Sequence, residues 1–263
     1  MRLFWLYSLF LGLTKALVLF EEWKQKSSFA IIGGTNSGAD TKRYQVSLQT
    51  LSGQHFCGGT IIADRWILTA AHCLLCRNET QIKIRYRTLT YSHGGLIERI
   101  SSFIIHESFD NYTNDNDIAL LETANKLSIN PIDIIKLPPP GVDELNTIKS
   151  VSVSGWGLTN ANDTKLSHRL QTVTIPLVSI ETCQQIYESV INEDDMFCAG
   201  DPDGGVDACK GDSGGPAISP NDYTLVGLVS WGFLCADPAY PGVYIRVSSY
   251  VEWILEQGVT LTF

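Results

Sequence analysis

The sequence has few basic residues and no cluster of them. Its 263 residues include 19 Lys and Arg against 28 Asp and Glu, which gives a formal net charge of −9. A protein that binds nucleic acid usually carries a stripe or patch of Lys and Arg that neutralises phosphates. The composition therefore argues against nucleic-acid binding, and we expect no nucleic-acid partner.

A long uninterrupted apolar span is also missing. The N-terminal apolar run follows the basic Arg2 and is broken by Lys15, whereas a membrane anchor, the alternative, would need about 20 apolar residues. Thr14 and Ala16 have the small-residue spacing of a signal-peptide cleavage site. We expect a signal peptide over residues 1–16 and a secreted, extracellular protein without a membrane-bound form.

The third missing feature is the alternation of strands and helices that parallel α/β proteins show. Short runs instead alternate apolar and polar residues and are separated by Gly, Asn, Asp and Pro, which is typical of an antiparallel all-β protein. These runs cover residues 44–51, 59–70, 80–89, 117–123, 149–157, 223–232 and 242–247.

A proline-rich segment divides these runs into two halves. Residues 137–147, LPPPGVDELNT, contain three consecutive prolines that cannot pair in a central strand, so they predict a linker. Only residues 179–190 and 248–257 have helical character. In the second stretch an apolar stripe at helical spacing predicts a helix docked on the β-structure, formed by Tyr250, Trp253, Ile254 and Gln257.

Three separate stretches hold candidate catalytic side chains. DACKGDSGGP, residues 207–216, places Ser213 among glycines that allow tight turns and converging N–H groups, although this stretch alone could equally be an ordinary turn. LTAAHC presents His72 and NDNDIALL presents Asp117. A serine nucleophile needs a base, and the base needs a carboxylate that fixes its tautomer. The other histidines lack such surroundings and are interpreted as surface or packing residues: His55, His93, His106 and His168.

These motifs resemble the chymotrypsin-like serine proteases of the trypsin-like branch, and in detail the digestive trypsins of mites. The resemblance covers residues 31–257 and rests on IIGGT, FCGGTII, LTAAHC, DNDIALL, VSGWG, CKGDSGGP, SWG and PGVY. It implies a propeptide over residues 17–30 and leaves residues 258–263 as a C-terminal tail. The implied fold is all-β, with two six-stranded antiparallel β-barrels, a C-terminal helix and the active site between the barrels.

The resemblance also implies a role for each site residue. His72 and Asp117 would come from the first barrel and Ser213 from the second. The backbone N–H groups of Gly211 and Ser213 would form the oxyanion hole. The segment Ser230, Trp231 and Gly232 would pair with the substrate as an added β-strand.

Asp207 corresponds to the floor of the specificity pocket in trypsins. A buried carboxylate there selects a cation, so cleavage after Arg or Lys is implied, with Cys209, Gly232 and Gly242 around it. Two residues depart from the usual trypsin pattern. Ala208 replaces a common serine, and Leu234 replaces a rim glycine and would be strained if positive φ were needed.

The cysteine number is odd. Six cysteines could pair in fifteen ways from sequence alone. The family pattern implies the pairs Cys57–Cys73, Cys183–Cys198 and Cys209–Cys235. Cys76 is left as a free thiol or as a competitor for Cys57, and we favour the free thiol.

The resemblance implies activation by cleavage before Ile31, whose new amine would pair with Asp212. Ala30 precedes the cut, so an enzyme specific for basic residues should not cut there itself. The expected partners are protein or peptide substrates, an activating protease and protein inhibitors, and we expect a monomer.

No cofactor or metal is expected. Residues 84–95 lack the two glutamates that bind calcium in many relatives. Three sequons, at Asn78, Asn111 and Asn162, fit a secreted chain if their loops are exposed. An inactive paralogue that binds or decoys partners through the same cleft is the alternative function, although the three catalytic residues are all present.

Overall fold

The computed structural model describes residues 31–38 and 42–263. The predicted signal peptide, residues 1–16, and propeptide, residues 17–30, lie outside the described residues. Within the described ranges, no helix has the length and apolar character to cross a membrane.

Six antiparallel strands form the first barrel. They pair in the closed order β2-β3-β4-β7-β6-β5. Alternation explains their placement: in β5 the side chains of Ile82, Ile84 and Tyr86 are buried in the barrel, while Lys83 and Arg85 are half-buried. The strands are β2 (Gln45–Thr50), β3 (His55–Ile61), β4 (Trp66–Thr69), β5 (Ile82–Tyr86), β6 (Leu96–Ile105) and β7 (Ala119–Thr123).

The second barrel is also six-stranded and antiparallel. Its order is β9-β10-β13-β12-β11-β8, and pairing of β8 with β9 closes it, while the short β1 (Thr35–Asn36) adds to β9. The prediction of two six-stranded antiparallel barrels is thus confirmed. The strands are β8 (Ser150–Gly155), β9 (Gln171–Val178), β10 (Met196–Ala199), β11 (Pro216–Ile218), β12 (Leu225–Trp231) and β13 (Gly242–Arg246).

Both predicted helical stretches are helical. Helix α1 (Ile180–Tyr187) starts after Ser179, whose side chain accepts from the Thr182 N–H, and ends in a 3-10 turn, Glu188–Val190. Helix α2 (Val251–Glu256) follows a 3-10 turn, Val247–Tyr250. Of the predicted stripe, Tyr250, Trp253 and Ile254 are buried and Gln257 is half-buried, so α2 docks as expected.

One predicted run is a hairpin rather than a strand. Within residues 59–70, β3 ends at Ile61 and β4 begins at Trp66. The Trp66 N–H donates to the Ala63 carbonyl in the turn between them. The turn contains the adjacent polar residues Asp64 and Arg65 but no Gly or Pro, so the sequence lacks the strongest turn signals there.

The proline-rich segment, residues 137–147, connects β7 to β8 and contains the 3-10 turn Glu144–Asn146. Two contacts join the barrels close to the candidate site. The Ser154 hydroxyl donates to Gln45 Oε1 at 2.6 Å, and the Gly58 N–H donates to the Ser213 carbonyl at 2.8 Å. The barrels therefore meet where the glycine-rich motif lies.

Three disulfides join the pairs that the resemblance implies, Cys57–Cys73, Cys183–Cys198 and Cys209–Cys235. Cys76 is exposed and has a free thiol. The sequon residues Asn78, Asn111 and Asn162 are all exposed.

Candidate active site

A buried carboxylate fixes the histidine of the site. His72 lies on a 3-10 helix, Ala71–Leu74, that follows β4, and Asp117 lies two residues before β7. The Asp117 carboxylate accepts from the His72 backbone N–H at 2.8 Å and from its ring Nδ1 at 2.7 Å. Because Nδ1 carries the proton in this pair, Nε2 is left as the basic nitrogen on the other side of the ring.

The second barrel supplies a further donor to the same carboxylate. The Ser230 hydroxyl donates to Asp117 Oδ2, which is fully buried. Ser230 reaches this position because the pairing of β12 with β13 shifts register between Val229 and Trp231. The Asp117 carboxylate therefore accepts three hydrogen bonds, which offset the free-energy cost of burying its charge.

The glycine-rich loop holds Ser213 in a tight turn that glycines on both sides make possible. Gly211 has φ 99° and Gly214 has φ 72°, conformations that a side chain would strain. The Lys210 carbonyl accepts from the Leu158 N–H at 2.9 Å, and the Asp212 carbonyl accepts from the Gly215 N–H at 2.8 Å.

These two carbonyls set the directions of the following N–H groups. In a planar trans peptide the C=O and N–H point opposite ways. The N–H groups of Gly211 and Ser213 therefore point away from Leu158 and Gly215, which donate to the carbonyls of the same two peptides. Two fixed N–H donors beside a serine are what an oxyanion needs.

No hydrogen bond joins Ser213 and His72 in the described part of the chain. The His72 ring Nε2 lies 3.7 Å from Cys73 Sγ. Nucleophile and base are commonly too far apart in a free enzyme and close only on substrate.

Sequence reasoning grouped His55 with the surface or packing residues and missed its contact with the glycine-rich loop. His55 is 4% exposed, and its Nε2 donates to the Gly211 carbonyl at 2.8 Å. Its Nδ1 accepts from the Ser47 hydroxyl at 2.7 Å, which in turn accepts from Gln49 Nε2. Burial lowers the pKa of His55 to about 4, so the ring is neutral and keeps this tautomer at neutral pH.

A cavity of about 170 Å³ opens beside Ser213 and has Asp207 in its wall. Asp207 is 4% exposed; Oδ2 accepts from the Ala236 N–H at 2.9 Å, whereas Oδ1 is buried with no partner among the described residues. Burial raises the pKa of Asp207 to about 7. The cavity thus contains a carboxylate that forms no ion pair with the described residues. Its wall also includes Ser230, Trp231, Gly232 and Gly242.

The two departures from the usual pocket have different outcomes. Ala208 lines the cavity and brings no hydroxyl. Leu234 is 55% exposed at the rim of the cavity. Its φ is not positive, so it does not have the backbone strain that a positive φ would have caused. The left-handed conformation in this loop belongs to Ala236, φ 58°.

Asp212 is fully buried next to the glycine-rich loop. Its carboxylate accepts from the Gly157 N–H at 2.7 Å and the Cys209 N–H at 3.0 Å, and burial raises its pKa to about 7. A side chain at Gly157 would place a Cβ 2.3 Å from Asp212 Oδ2. Ile31 is also fully buried, in the core of the second barrel, and Ile32 forms a β-bridge with Asp207.

Cys57, His72 and Cys73 bring possible metal-ligand atoms within 4.8 Å of one another. The two sulfur atoms are joined in a disulfide, so they offer no thiolates. This group does not have the chemistry of a metal site.

Comparisons with known proteins agree on one family. The family model described as Trypsin matches residues 31–254. Trypsin Blo t 3 of Blomia tropicalis is 47% identical over 234 residues, covering 87% of this chain and 86% of the relative. Trypsin Tyr p 3.0101 of Tyrophagus putrescentiae is 44% identical over 238 residues, covering 88% and 81%. A trypsin of Phaedon cochleariae is 40% identical over 231 residues, covering 86% and 88%.

Replacing His55 with Ala should lower kcat for peptide hydrolysis by roughly tenfold to a hundredfold, with KM changed little, because the Gly211–Asp212 peptide beside Ser213 loses the hydrogen bond that holds its carbonyl. Steady-state kinetics on matured protein would measure this. The exposed His168→Ala variant is the matched control and should behave like the parent. A rise in KM of tenfold or more with unchanged kcat would contradict this role of His55.

Proposed function

This chain belongs to the trypsin family and is a serine endopeptidase, and on that premise we propose that it is a secreted digestive enzyme that cleaves after Arg and Lys. We further propose that it is made as an inactive precursor. The observation that carries the specificity is the buried Asp207 carboxylate, whose Oδ1 has no partner in the described part of the chain.

In the proposed reaction Ser213 is the nucleophile and His72 is the general base. His72 Nε2 takes the hydroxyl proton as Ser213 Oγ attacks the scissile carbonyl, and Asp117 stabilises the resulting imidazolium. The N–H groups of Gly211 and Ser213 donate to the oxyanion. His72 then returns the proton to the leaving amine, and water removes the acyl group by the same steps.

Substrate binding combines main-chain pairing with a cation in the pocket. The segment Ser230 to Gly232 would add the substrate as a strand, which leaves the side chain before the scissile bond in the cavity above Asp207. A guanidinium or ammonium there would satisfy Oδ1 and favour the ionised carboxylate, lowering its raised pKa. Apolar side chains would leave the carboxylate buried and unpaired.

Secretion is supported by the predicted signal peptide, residues 1–16, together with three disulfides, which persist in oxidising compartments. The proposed propeptide is residues 17–30 and the protease domain is residues 31–257, followed by a tail, 258–263. We propose that the enzyme is a monomer and that protein inhibitors bind the same cleft.

Activation is proposed to occur by cleavage before Ile31. The freed amine would pair with Asp212, a carboxylate whose burial raises its pKa to about 7 and so favours the arrival of a cation. Ala30 precedes the bond, and a pocket with Asp207 at its base selects basic residues. A second protease that accepts Ala after Phe29, a cysteine protease by proposal, is therefore required.

Replacing Ser213 with Ala should abolish hydrolysis and the burst with an active-site titrant, while inhibitor binding in the pocket is retained, because the change removes chemistry and leaves packing intact. Loss of such a nucleophile costs several orders of magnitude. Residual turnover within about tenfold of the parent would refute the assignment of Ser213.

Arg should be preferred over Lys before the scissile bond. The guanidinium reaches Asp207 with two N–H donors, whereas the shorter ammonium depends on water and on a neighbouring hydroxyl that Ala208 does not supply. Matched Arg and Lys peptides compared by kcat/KM measure the preference. Ala208→Ser should narrow it, and a Lys preference in the parent would overturn this explanation.

The purified precursor should remain inactive on its own, and an Ala30→Arg precursor should activate itself, because only the latter offers a basic residue to the pocket. N-terminal sequencing and intact mass would identify the new Ile31 terminus. The Ala30→Arg protein that also carries Ser213→Ala is the control and should stay uncut. Unaided maturation of the parent precursor to Ile31 would disprove the requirement for a second protease.

A further inference from the structure

The second barrel also contacts the residue that precedes Asp117 in the chain. The residue before it, Asn116, has the left-handed φ of 55°. The Asn116 N–H donates to Asp195 Oδ2 at 2.8 Å, although the two residues are 79 positions apart. Asp195 belongs to the second barrel, directly before β10, and is 4% exposed.

Asp195 is itself held rigidly. The Arg246 backbone N–H donates to the Asp195 backbone carbonyl at 2.8 Å. The Tyr250 hydroxyl lies 3.0 Å from Asp195 Oδ2 and 3.2 Å from Asn116 Oδ1 and can donate its one proton to either. The carboxylate is therefore an anchor for the turn that carries Asn116.

The turn transmits this anchoring to Asp117. The Asn116 carbonyl accepts from the Ile118 N–H at 2.7 Å, and Asn116 Nδ2 donates to the Ser108 carbonyl at 3.1 Å. With its N–H, carbonyl and side chain all bonded, Asn116 has little freedom to rotate. Asn adopts the left-handed conformation more readily than most residues, and these three contacts hold Asn116 in it.

We propose that Asp195 is a positioning residue that holds the Asn116 turn and thereby aims the Asp117 carboxylate at His72. This inference rests on the proposed roles of Asp117 and His72 in peptide hydrolysis. The second barrel then holds Asp117 directly through Ser230 and indirectly through the bond from Asn116 to Asp195.

The role has an electrostatic cost. Burial, and after it the nearby Asp115 carboxylate, raises the pKa of Asp195, while the hydrogen bonds from Asn116 and Tyr250 oppose the shift. The His106 ring lies beside Tyr250, with ring centroids 5.3 Å apart. Since a charge is costly here, the test must separate the accepted hydrogen bond from the charge itself.

Asp195→Ala removes both, and Asp195→Asn removes only the charge while its amide oxygen still accepts from the Asn116 N–H. We expect Asp195→Ala to lower kcat about tenfold with KM within about twofold, since a small misplacement acts on chemistry while the pocket is untouched. In the pH profile of kcat for Asp195→Ala, the acid limb should move to lower pH, because a misaligned Asp117 stabilises the His72 imidazolium less well. Asp195→Asn should restore both quantities to within about twofold of the parent.

Asp194→Ala is the matched control, since it removes the same group from the adjacent exposed position. Active-site titration counts competent molecules, so loss of folded protein is not mistaken for loss of kcat. An unchanged kcat in Asp195→Ala would overturn the proposal. Equal effects in the Ala and Asn variants would overturn it too, because charge would then explain them.

The same proposal can be tested without activity. In the Ser213→Ala background, the NMR chemical shift of the His72 Nδ1 proton, which reports on the hydrogen bond to Asp117, should change more with Asp195→Ala than with Asp195→Asn. If the parent lacked a burst but this difference were present, the proposed reaction would fail and the positioning role would stand. If the burst were normal and the His72 Nδ1 proton had the same chemical shift in both variants, only the positioning role would fail.

Discussion

The buried Asp117 carboxylate is the group on which the two barrels converge. It accepts two hydrogen bonds from His72 in the first barrel and one from Ser230 in the second. A charge removed from water is tolerated only when such donors are in place, so the barrels have to dock in one relative position for this aspartate to be satisfied. In the proposed reaction, the position of the base, His72, relative to the nucleophile, Ser213, follows from that docking.

Two further carboxylates, Asp207 and Asp212, are buried at a cost that the hydrogen bonds they accept do not offset. Burial raises the pKa of each to about 7. For an acid whose folded pKa lies above its unfolded value, the ionised form destabilises the fold, and that penalty disappears as pH falls through the raised pKa. A cation removes the penalty at neutral pH as well. In the proposed function the substrate supplies that cation to Asp207 at each turnover, while the new amine of Ile31 supplies it to Asp212 once.

The sequence predicted the features that depend only on residues close together in the chain. Alternating runs predicted antiparallel β-structure, and the glycines around Ser213 predicted its turn, because each depends on neighbours in the chain. The two barrels were implied by the resemblance to the family. The sequence did not predict the strands β6, β9, β10 and β11. Strands β10 and β11 have only four and three residues, β9 contains Pro176, which argues against a strand, and β6 has a register shift between Ile100 and Ser102 that interrupts its alternation. Nor could the sequence show that His55 bonds Gly211 across 156 positions or that Asp195 bonds Asn116 across 79, since no short motif records either contact.

The proposed link between activation and catalysis requires only a short path. Asp212 accepts from the Gly157 N–H, and the next residue, Leu158, donates to the Lys210 carbonyl. That carbonyl belongs to the same peptide as the Gly211 N–H, so its hydrogen bond sets where the N–H points. A charge that draws Asp212 into place therefore orders Gly157 and Leu158, and through them the Gly211 N–H donor. Because every step is a hydrogen bond or a rigid peptide, pairing at Asp212 can orient the oxyanion donor without any movement of the barrels.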